Sequence, residues 1–355
     1  MVDLRMTNVR NLQQVNLQPS PGINFIVGDN GSGKSSVLEA ITLLSRGKSF
    51  RSTKVSEIIN FSQSSLIVTT ELRNQNNTSN KLGVEFSKNK RELRLNGEKA
   101  YKISELAYQL PTQFFDPGCY NLLDAEPKRR RQFIDWGTFH HDLIFLDAWK
   151  RYKKALIHRN RLLKSGHLQT IDVWDQKLAE YGGIITQVRV DYLQALNPLF
   201  ACLIQRFQIC SHFELRLMQG WNPEYTLIEV LQQSRQSDIR YGYTQFGPHK
   251  CDLMVMADDR AAKSFLSRGQ KKILVLALML AQIDLMTQIH QIPACVLVDD
   301  ITAELDRTNQ DEFMRLLGNN NHQLFVTTTD KNFVERFRHD DVKVFEISAG
   351  VIHSA

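Results

Sequence analysis

Short apolar runs separated by turns dominate the first hundred residues of the chain. Residues 23–27 form an apolar run that leads into a glycine-rich segment, which predicts a strand followed by a loop. After the loop, four apolar residues recur at the spacing of one helix face: Val37, Leu38, Ile41 and Leu44. Runs at 66–72 and 82–86 predict two more strands. Asn96 and Gly97 then predict a tight hairpin, so this part is expected to be largely antiparallel.

Residues 116–240 have a mainly helical pattern. One seam with alternating steps of four and three comprises Trp174, Leu178, Tyr181, Ile185, Val188 and Tyr192. A shorter seam comprises Phe145, Trp149, Tyr152 and Leu156. Ser165 and Gly166 separate the two seams, which predicts an antiparallel helical hairpin that ends at Pro198. At ~1.5 Å per residue such a coiled coil extends only a few tens of Å.

Strands and helices alternate in the last hundred residues. The predicted helices are 270–286, 310–317 and 333–338, and the predicted strands are 294–298, 323–328 and 342–347. This alternation is typical of a parallel sheet covered by helices. We therefore predict one discontinuous α/β lobe from 1–115 and 255–355, with 116–254 as an inserted, mainly helical lobe.

The composition indicates a soluble chain with a substantial core, since 42% of its 355 residues are hydrophobic and 23% are charged. The net charge of +6 is a mild excess that permits a polyanionic partner. The longest apolar run, 273–281, is much shorter than the ~20 residues of a membrane span, and no secretory signal is evident.

The five scattered cysteines are Cys119, Cys202, Cys210, Cys251 and Cys295. Without a CxxC pair they predict reduced thiols, so we expect a cytoplasmic protein.

Residues 28–35 match the full pattern of a phosphate-binding loop, with Gly28, Gly33, Lys34 and Ser35 at the defining positions. The glycines allow successive backbone N–H groups to face one concavity, and the helix start adds partial positive charge. We predict that Lys34 contacts the β and γ phosphates of ATP and that Ser35 ligates Mg²⁺. The position between a predicted strand and a predicted helix favours this reading over a surface turn.

An acidic pair, Asp299 and Asp300, follows the apolar strand at 295–298. In parallel α/β folds the carboxyl end of such a strand lies beside the phosphate loop. Asp299 is therefore predicted to hold magnesium, directly or through water, and Asp300 to orient the attacking water. The alternative is that the two aspartates only cap the next turn.

Ser267, Gly269 and Gln270 open the predicted buried helix with the pattern Ser-x-Gly-Gln. By itself this pattern is also that of a helix cap. ABC-type ATPases carry such a signature about thirty residues before the acidic strand, and 303–306 occupies the place of their D-loop. The chain thus resembles an ABC-type ATPase head, a phosphate-loop NTPase with a mixed β-sheet and flanking helices. In that class the signature serine contacts the γ-phosphate bound to a second copy, which implies an ATP-dependent homodimer.

The sequence is similar from end to end to the RecF family of bacterial recombination mediators. The segments that carry the resemblance are Arg10 and Asn11, then 28–35, 110–113, 127–137, 244–253, 265–272 and 298–306. The pattern RRxFxDW at 130–136 and the pattern GPHKxD at 247–252 discriminate this family from transporter ATPases. At 326–330 the chain offers threonines where transporter heads carry a switch histidine, which is consistent with slow turnover.

The resemblance implies a function and a set of site residues. RecF-like proteins bind duplex, single-stranded and gapped DNA, hydrolyse ATP slowly, and act with RecO and RecR to load RecA in gap repair, replication restart and SOS induction. The implied catalytic residues are Lys34, Gln113, Ser267, Asp299 and Asp300. The implied nucleotide contacts are Arg10, Asn11, Gly28, Asp29, Asn30, Gly31, Ser32, Gly33, Lys34, Ser35, Ser36, Ser267, Gly269 and Gln270. The implied magnesium ligands are Ser35, Gln113 and Asp299.

Positive charge is concentrated between 128 and 164, a segment with eleven lysines and arginines but only three aspartates. This excess exceeds that of the whole chain and predicts a phosphate-directed DNA footprint without sequence preference. The predicted DNA contacts are Arg51, Lys54, Arg129, Arg130, Arg131, Lys150, Arg151, Lys153, Lys154, Arg159 and Arg161. The alternatives are a solvated helix face and, for 129–131, ion pairing with carboxylates such as Asp135.

Two other functions remain open at this point. A transporter ATPase subunit would dock on a membrane permease, and a structural SMC-like head would carry coiled-coil arms of hundreds of residues. The gap of more than two hundred residues between phosphate loop and signature argues against the first, and the short predicted hairpin argues against the second.

Overall fold

The computed structural model describes residues 1–73, 78–207, 212–257, 259–290, 293–318, 322–338 and 341–354. The strands, numbered in chain order, are β1 (Asp3–Val9), β2 (Leu12–Leu17), β3 (Ile23–Val27), β4 (Ser65–Arg73), β5 (Ser79–Ser87), β6 (Arg91–Leu95), β7 (Glu98–Ala100), β8 (Thr112–Phe115), β9 (Phe213–Met218), β10 (Asp252–Ala257), β11 (Arg260–Ala261), β12 (Cys295–Asp299), β13 (Gln323–Thr328), β14 (Val342–Ser348) and β15 (Val351–Ser354). The helices are α1 (Lys34–Arg46), α2 (Ile103–Gln109), α3 (Pro127–His141), α4 (Ile144–Ser165), α5 (Ile171–Arg206), α6 (Leu227–Gln233), α7 (Arg235–Tyr241), α8 (Arg268–His290), α9 (Arg307–Gly318) and α10 (Lys331–Arg336).

The chain divides into two compact units. Unit 1 comprises Met1–Cys119 and His290–Ala355, and unit 2 comprises Tyr120–Ile289. The predicted boundary at 254/255 therefore differs from the structure, which keeps β10 and α8 in unit 2. The physical reason is that β10 pairs with β9 along its whole length and that Gln282 of α8 donates to the Phe133 carbonyl of α3.

Unit 1 contains two six-stranded sheets. An antiparallel sheet has the order β2-β1-β4-β5-β6-β7, and a mixed sheet has the order β15-β14-β3-β13-β12-β8. In the mixed sheet β14, β3, β13, β12 and β8 are parallel, and only β15 runs antiparallel. The turn at Asn96 and Gly97, both with positive φ, joins β6 to β7 as predicted.

Helix α1 packs between these two sheets and forms the centre of unit 1. Its predicted face is fully buried, and nearly all its remaining side chains are buried as well, because it contacts strands of both sheets. The apolar core around it includes Leu4, Val68, Leu297 and Phe325. This packing fixes the start of α1 at the carboxyl edge of the parallel strands, where α/β folds place their ligands.

Unit 2 is built on the antiparallel helices α4 and α5, which pack along each other as the two seams predict. The predicted end of the hairpin at Pro198 is wrong, since α5 continues through it to Arg206. A proline removes one backbone hydrogen bond, but buried Phe200 and Leu203 hold the following turns. The Asn197 side chain also bonds the backbone of Leu215 in both directions. A small sheet, β11-β10-β9, completes this unit and was not expected in a helical lobe.

Among the described residues, α8 is the one helix whose length and apolar composition would suffice for a membrane span. Two-thirds of the relevant window is buried in the protein, which is the pattern of a core helix. No disulfide joins the four described cysteines, and Cys210 lies outside the described residues.

Candidate nucleotide-binding site

The phosphate loop connects β3 to α1 and depends on its glycines. Gly31 and Gly33 have φ of 80° and 117°, a region that disfavours other residues. At Gly28 a Cβ atom would lie 2.3 Å from the Ile347 carbonyl oxygen, so no side chain fits there. The loop therefore keeps backbone atoms at its surface, as a phosphate cradle requires.

Lys34 is buried at the start of α1 and arches over the loop. Its Nζ donates to the carbonyl oxygens of Gly28 at 2.8 Å and Asp29 at 2.9 Å. Burial lowers the pKa of Lys34, and the negative charges of Asp300, Asp299 and Asp29 oppose that change. A cation held among these carboxylates lies where the terminal phosphates of a nucleotide would add further negative charge.

Asp299 connects the phosphate loop to the neighbouring strands. Ser35 Oγ donates to Asp299 Oδ1 at 2.9 Å, and Thr327 Oγ1 of β13 donates to the same oxygen at 2.7 Å. The three side chains meet because β13 lies between β3 and β12 and all three strands end at one edge. The predicted pairing of phosphate loop and acidic strand is thus present, with a threonine between them.

Asp300 has a left-handed backbone with φ of 49°, which is unfavourable for a residue with a side chain. Its N–H donates to Thr327 Oγ1 at 3.1 Å, and its Oδ1 accepts from Thr302 Oγ1 at 3.1 Å. Such strain is characteristic of functional sites, where surrounding contacts must hold it. Thr327 therefore positions both members of the acidic pair.

The residues present fit a magnesium nucleotide. Hydroxyl and carboxylate oxygens, as on Ser35 and Asp299, are the ligands that Mg²⁺ prefers. Ser32 Oγ in the loop is buried and has no hydrogen-bond partner among the described residues, so a phosphate oxygen would satisfy it. The described residues contain no group of three His, Cys, Asp or Glu side chains able to hold a metal alone. A magnesium ion at this site would therefore need phosphate oxygens among its ligands.

Arg10 and Asn11 lie beside the loop in different roles. Asn11 Nδ2 donates to the Ser32 carbonyl at 3.0 Å and its Oδ1 accepts from Ser36 Oγ at 3.2 Å, so Asn11 clamps the loop. Arg10 forms a two-bond ion pair, at 2.8 and 2.9 Å, with the buried carboxylate of Glu39. Direct contact of Arg10 with a nucleotide stays a prediction. The remaining loop residues Asp29, Asn30 and Gly31 form an exposed rim.

Gln113 is not brought to this site. It is buried within β8, in register with Val296 and three positions before the level of Asp299. Strand alternation places it on the face of Phe115, which packs against Phe313 of α9, whereas Phe114 on the other face belongs to the core around α1. This placement does not support the expected catalytic and magnesium roles of Gln113, which stay predictions.

The signature residues begin α8 in unit 2. Gln270 N–H donates to Ser267 Oγ at 3.2 Å, and Ser267 N–H donates to Gln270 Oε1 at 3.0 Å, which forms a reciprocal helix cap. The cap that was the alternative reading is thus present. Ser267, Gly269 and Gln270 are nevertheless all exposed, and nothing lies within 4 Å of a Cβ built at Gly269. The cap leaves this helix start accessible to a partner.

A basic surface runs along one face of α4. At ~100° per residue, five exposed cations fall within about 100° of the helix circumference. We call this the α4 stripe: Lys150, Lys153, Lys154, Arg161 and Lys164. Arg151 is exposed at its flank, pairs with Asp147 at 2.6 Å and lies over the Tyr181 ring. These exposed cations remain predicted DNA contacts, together with Arg51, Lys54 and Arg129.

Two of the predicted DNA contacts are wrong because they are buried in ion pairs. Arg159 lies opposite the α4 stripe and is fully buried against Asp175 at 2.5 Å and Asp238 at 2.6 Å. Arg130 pairs with Asp252 at 2.7 Å and donates to three carbonyls of 122–125. Arg131 is half-buried and donates to the Cys251 carbonyl at 2.7 Å, so only part of it is accessible. The expected partner Asp135 pairs with Arg189 instead.

Two contributors to the site were not identified from the sequence. Thr327 was one of several threonines in 326–330, and only its register on β13 selects it. Glu39, buried in α1, holds Arg10 and is also bonded by Ser49. The helical pattern gave no signal for Glu39, because at ~100° per residue it lies on the side of the helix opposite the predicted apolar face.

Comparisons with known proteins agree with this geometry. Residues 1–353 match the family model of the RecF/RecN/SMC N-terminal domain. The DNA replication and repair protein RecF of Marinomonas sp. (strain MWYL1) is 38% identical in an alignment that covers 99% of this chain and 96% of the relative. A solved structure of the recombination mediator protein RecF-ATP in the RecFOR pathway has a TM-score of 0.88 at 28% identity, covering 99% of this chain and 96% of the other. An Smc head bound to the C-winged helix domain of ScpA has a TM-score of 0.60 at 17% identity, covering 100% and 96%. The predicted ABC-type ATPase fold is confirmed.

Proposed function

Because the chain belongs to the RecF/RecN/SMC N-terminal domain family and resembles RecF proteins along its whole length, we propose that it is an ATP-dependent, DNA-binding recombination mediator of the RecF type. The observation that carries this proposal is the Ser35–Asp299–Thr327 group beside Lys34. This group provides a hydroxyl and a carboxylate for Mg²⁺ and an ammonium for the phosphates. The proposed cofactors are therefore ATP and Mg²⁺.

We propose that ATP joins two copies of the chain. Ser267 and Gly269 are exposed at the start of α8, where backbone N–H groups favour an anion. Each copy then supplies one phosphate loop and one signature to two composite sites related by a two-fold axis. Hydrolysis separates the copies, so that nucleotide acts as a switch.

The proposed turnover is slow and stimulated by DNA. Thr327 occupies the end of β13 beside Asp299 and Asp300, and its hydroxyl carries no charge. Without a cation at this position, the acidic pair must act mainly by holding magnesium and orienting water. Asp300 is the residue proposed to orient the attacking water, because its backbone and its carboxylate are both fixed.

The proposed DNA ligands are duplex, single-stranded and gapped DNA, which the exposed cations of unit 2 would hold by their phosphates. The solved RecF-ATP relative belongs to a RecFOR pathway, and we extend this setting to the present chain. It would act with RecO and RecR to load RecA in gap repair, replication restart and SOS induction, in the cytoplasm. The helices α4 and α5 have 22 and 36 residues, so they offer no long arm for a chromosome-tethering head.

Sedimentation of the purified protein tests the ATP-dependent pairing. We expect a monomer with ADP and a dimer with ATP or a slowly hydrolysed analogue, each measured with and without gapped DNA. Lys34→Met should prevent nucleotide-driven pairing, and Asp300→Asn should keep the ATP dimer from separating. Ser267→Arg should bind nucleotide as a monomer and fail to pair.

The matched control is Ser264→Arg, which places the same exposed side chain three residues before the signature. It should pair like the wild type. Tight dimers of Ser267→Arg would refute the assignment of the signature to a second copy. A wild-type protein that stays monomeric with every nucleotide, with or without DNA, would overturn the proposed switch.

A further inference from the structure

Three exposed aromatic side chains cluster on one short turn of unit 2. Tyr241 is 57% exposed, Tyr243 is 42% exposed and Phe246 is 38% exposed. The ring centroids of Tyr241 and Tyr243 lie 6.1 Å apart. We call these three residues the aromatic turn. Among the described residues, the other exposed aromatic side chains, such as Tyr101 and Phe61, are isolated along the chain, so this cluster needs a physical explanation.

Hydrogen bonds to neighbouring side chains fix the backbone of the aromatic turn. Thr244 N–H donates to Asn160 Oδ1 at 2.8 Å, and Gln245 N–H donates to Asp238 Oδ1 at 3.1 Å. Fully buried Arg159 donates to Thr244 Oγ1 at 2.9 Å. A turn anchored in a buried charge network presents its rings without a large loss of conformational freedom on binding. This is preorganisation rather than an incidental exposed loop.

The surroundings of the aromatic turn are cationic. Lys250 Nζ lies 5.3 Å from the centroid of the Tyr243 ring, and Arg240 is exposed beside Tyr241. The sequence from 239 to 250 contains no acidic residue. Rings flanked by cations are the recognised combination for single-stranded nucleic acid, since every base has a face to stack and every nucleotide a phosphate.

The aromatic turn is continuous with the α4 stripe. A Cβ built at Gly242, between the two tyrosines, would lie 3.3 Å from Lys164 Cγ, and Lys164 is the last cation of the stripe. From Lys150 to Lys164 the stripe spans roughly 21 Å at ~1.5 Å per residue. That length corresponds to about six base pairs of duplex at ~3.4 Å each.

We propose that unit 2 reads the junction between duplex and single strand. The α4 stripe holds duplex phosphates, and the aromatic turn stacks the first unpaired bases beyond the duplex. This inference rests on the proposed DNA-binding function and specifies where the junction lies. The positive charge of the surroundings favours a nucleic acid over an apolar protein partner at this surface.

The test measures equilibrium binding of the full chain to three fluorescent probes: an oligo-dT strand, a blunt duplex and a gapped duplex. Replacing Tyr241 and Tyr243 together by alanine should weaken oligo-dT binding on the order of ten- to a hundredfold. The preference for gapped over blunt duplex should disappear, while blunt-duplex affinity and the salt slope stay the same because the cations that neutralise the phosphates are all kept. Replacing both by phenylalanine should restore binding, since stacking needs the ring and not the hydroxyl.

Tyr101→Ala is the matched control, because Tyr101 is an exposed tyrosine with Lys99 over its ring but without aromatic neighbours on its hairpin. It should leave all three affinities unchanged. An oligo-dT carrying 5-iododeoxyuridine should crosslink, on irradiation, to the peptide that contains residues 241–246.

The outcomes separate the inference from the proposed function. If the wild type binds no DNA, the proposed function fails. If it binds duplex but shows no gap preference, or if the double alanine variant keeps both oligo-dT affinity and gap preference, the junction inference is overturned while the function stands. The junction inference would also be overturned if the double alanine variant lost binding to a protein partner while its DNA affinities stayed unchanged. Unchanged thermal unfolding midpoints exclude misfolding as the cause of any loss.

Discussion

Replacing the buried Arg159 by methionine is expected to destabilise unit 2 strongly. The Arg159 guanidinium is fully enclosed and serves Asp175, Asp238, Thr244 and the Leu231 carbonyl together. Methionine fills a similar volume but offers no donor to any of these groups. The variant therefore leaves two buried carboxylates without their shared counter-charge.

The remaining contacts set the magnitude of the destabilisation. Removing one partner of a buried ion pair costs about 3–5 kcal/mol, because an unpaired charge stays in the interior. Asp175 keeps Arg235 at 2.7 Å, and Asp238 keeps the Gln245 N–H at 3.1 Å. These bonds place the expected decrease in the free energy of unfolding near the lower end, at about 3 kcal/mol.

Urea unfolding followed by tryptophan fluorescence measures this decrease through a signal that comes from unit 2. All four tryptophans lie in unit 2: Trp136, Trp149, Trp174 and Trp221. With a denaturant slope of about 2 kcal/mol per M, the midpoint should fall by roughly 1.5 M. The control is Arg151→Met on the same helix, whose pair with Asp147 is exposed to solvent and should contribute little, so its midpoint should stay close to that of the wild type.

The refuting result is equality of the two variants. If Arg159→Met unfolds at the same urea concentration as Arg151→Met, the buried network does not stabilise unit 2. A third variant strengthens the comparison: Arg159→Met combined with Asp175→Asn and Asp238→Asn removes the unpaired charges. It should recover part of the stability, because a neutral interior avoids the desolvation of two carboxylates.

Three other features of the molecule give predictions of their own. Thr327→Val should lower the rate of phosphate release about tenfold, equivalent to ~1.4 kcal/mol of barrier, because the acidic pair loses its positioning hydroxyl; an equal effect of buried Thr328→Val would contradict this. Replacing the cations of the α4 stripe by uncharged residues should make the slope of log affinity against log salt shallower by about 0.9 for each duplex phosphate contact that is lost. An unchanged slope would rule out the α4 stripe as a DNA contact. Burial lowers the pKa of His249 to about 4 from an ordinary 6.5. As the pH falls, the unfolded state therefore binds a proton at this histidine before the folded state does. The stability of unit 2 should then decrease between about pH 6.5 and pH 4, by up to ~1.4 kcal/mol per pH unit. His249→Gln should flatten this dependence in fluorescence-monitored unfolding, whereas the same change at exposed His167 should leave it intact.

The sequence predicted most of the nucleotide site because its parts are local or strand-terminal. A phosphate loop is one continuous segment, and an apolar run followed by acids identifies a strand end without any knowledge of its neighbours. The Ser35–Asp299 contact follows from these two facts. Thr327 could not be selected in this way, since its role depends on which strand lies between β3 and β12.

The failed predictions share a different cause. Counting charge along 128–164 ignored which face of a helix each residue occupies, although Arg159 lies ~180° from the α4 stripe at ~100° per residue. Gln113 is left unsupported for the analogous reason in a strand, because its neighbour Phe114 and not Gln113 faces α1. Pro198 was expected to end α5, but a local preference of a few kcal/mol was outweighed by buried residues on the following turns.

The two motifs that were expected to discriminate this family, 130–136 and 247–252, lie in unit 2 rather than at the phosphate site. Arg130 of the first motif pairs with Asp252 of the second, and Asp135 pairs with Arg189 at 2.6 Å. Arg189 also donates to the Pro248 carbonyl at 2.8 Å. These bonds fix the segment that leads out of the aromatic turn. The two motifs therefore stabilise the part of unit 2 next to the aromatic turn, and we expect changes in them to alter the proposed DNA binding before they alter nucleotide binding.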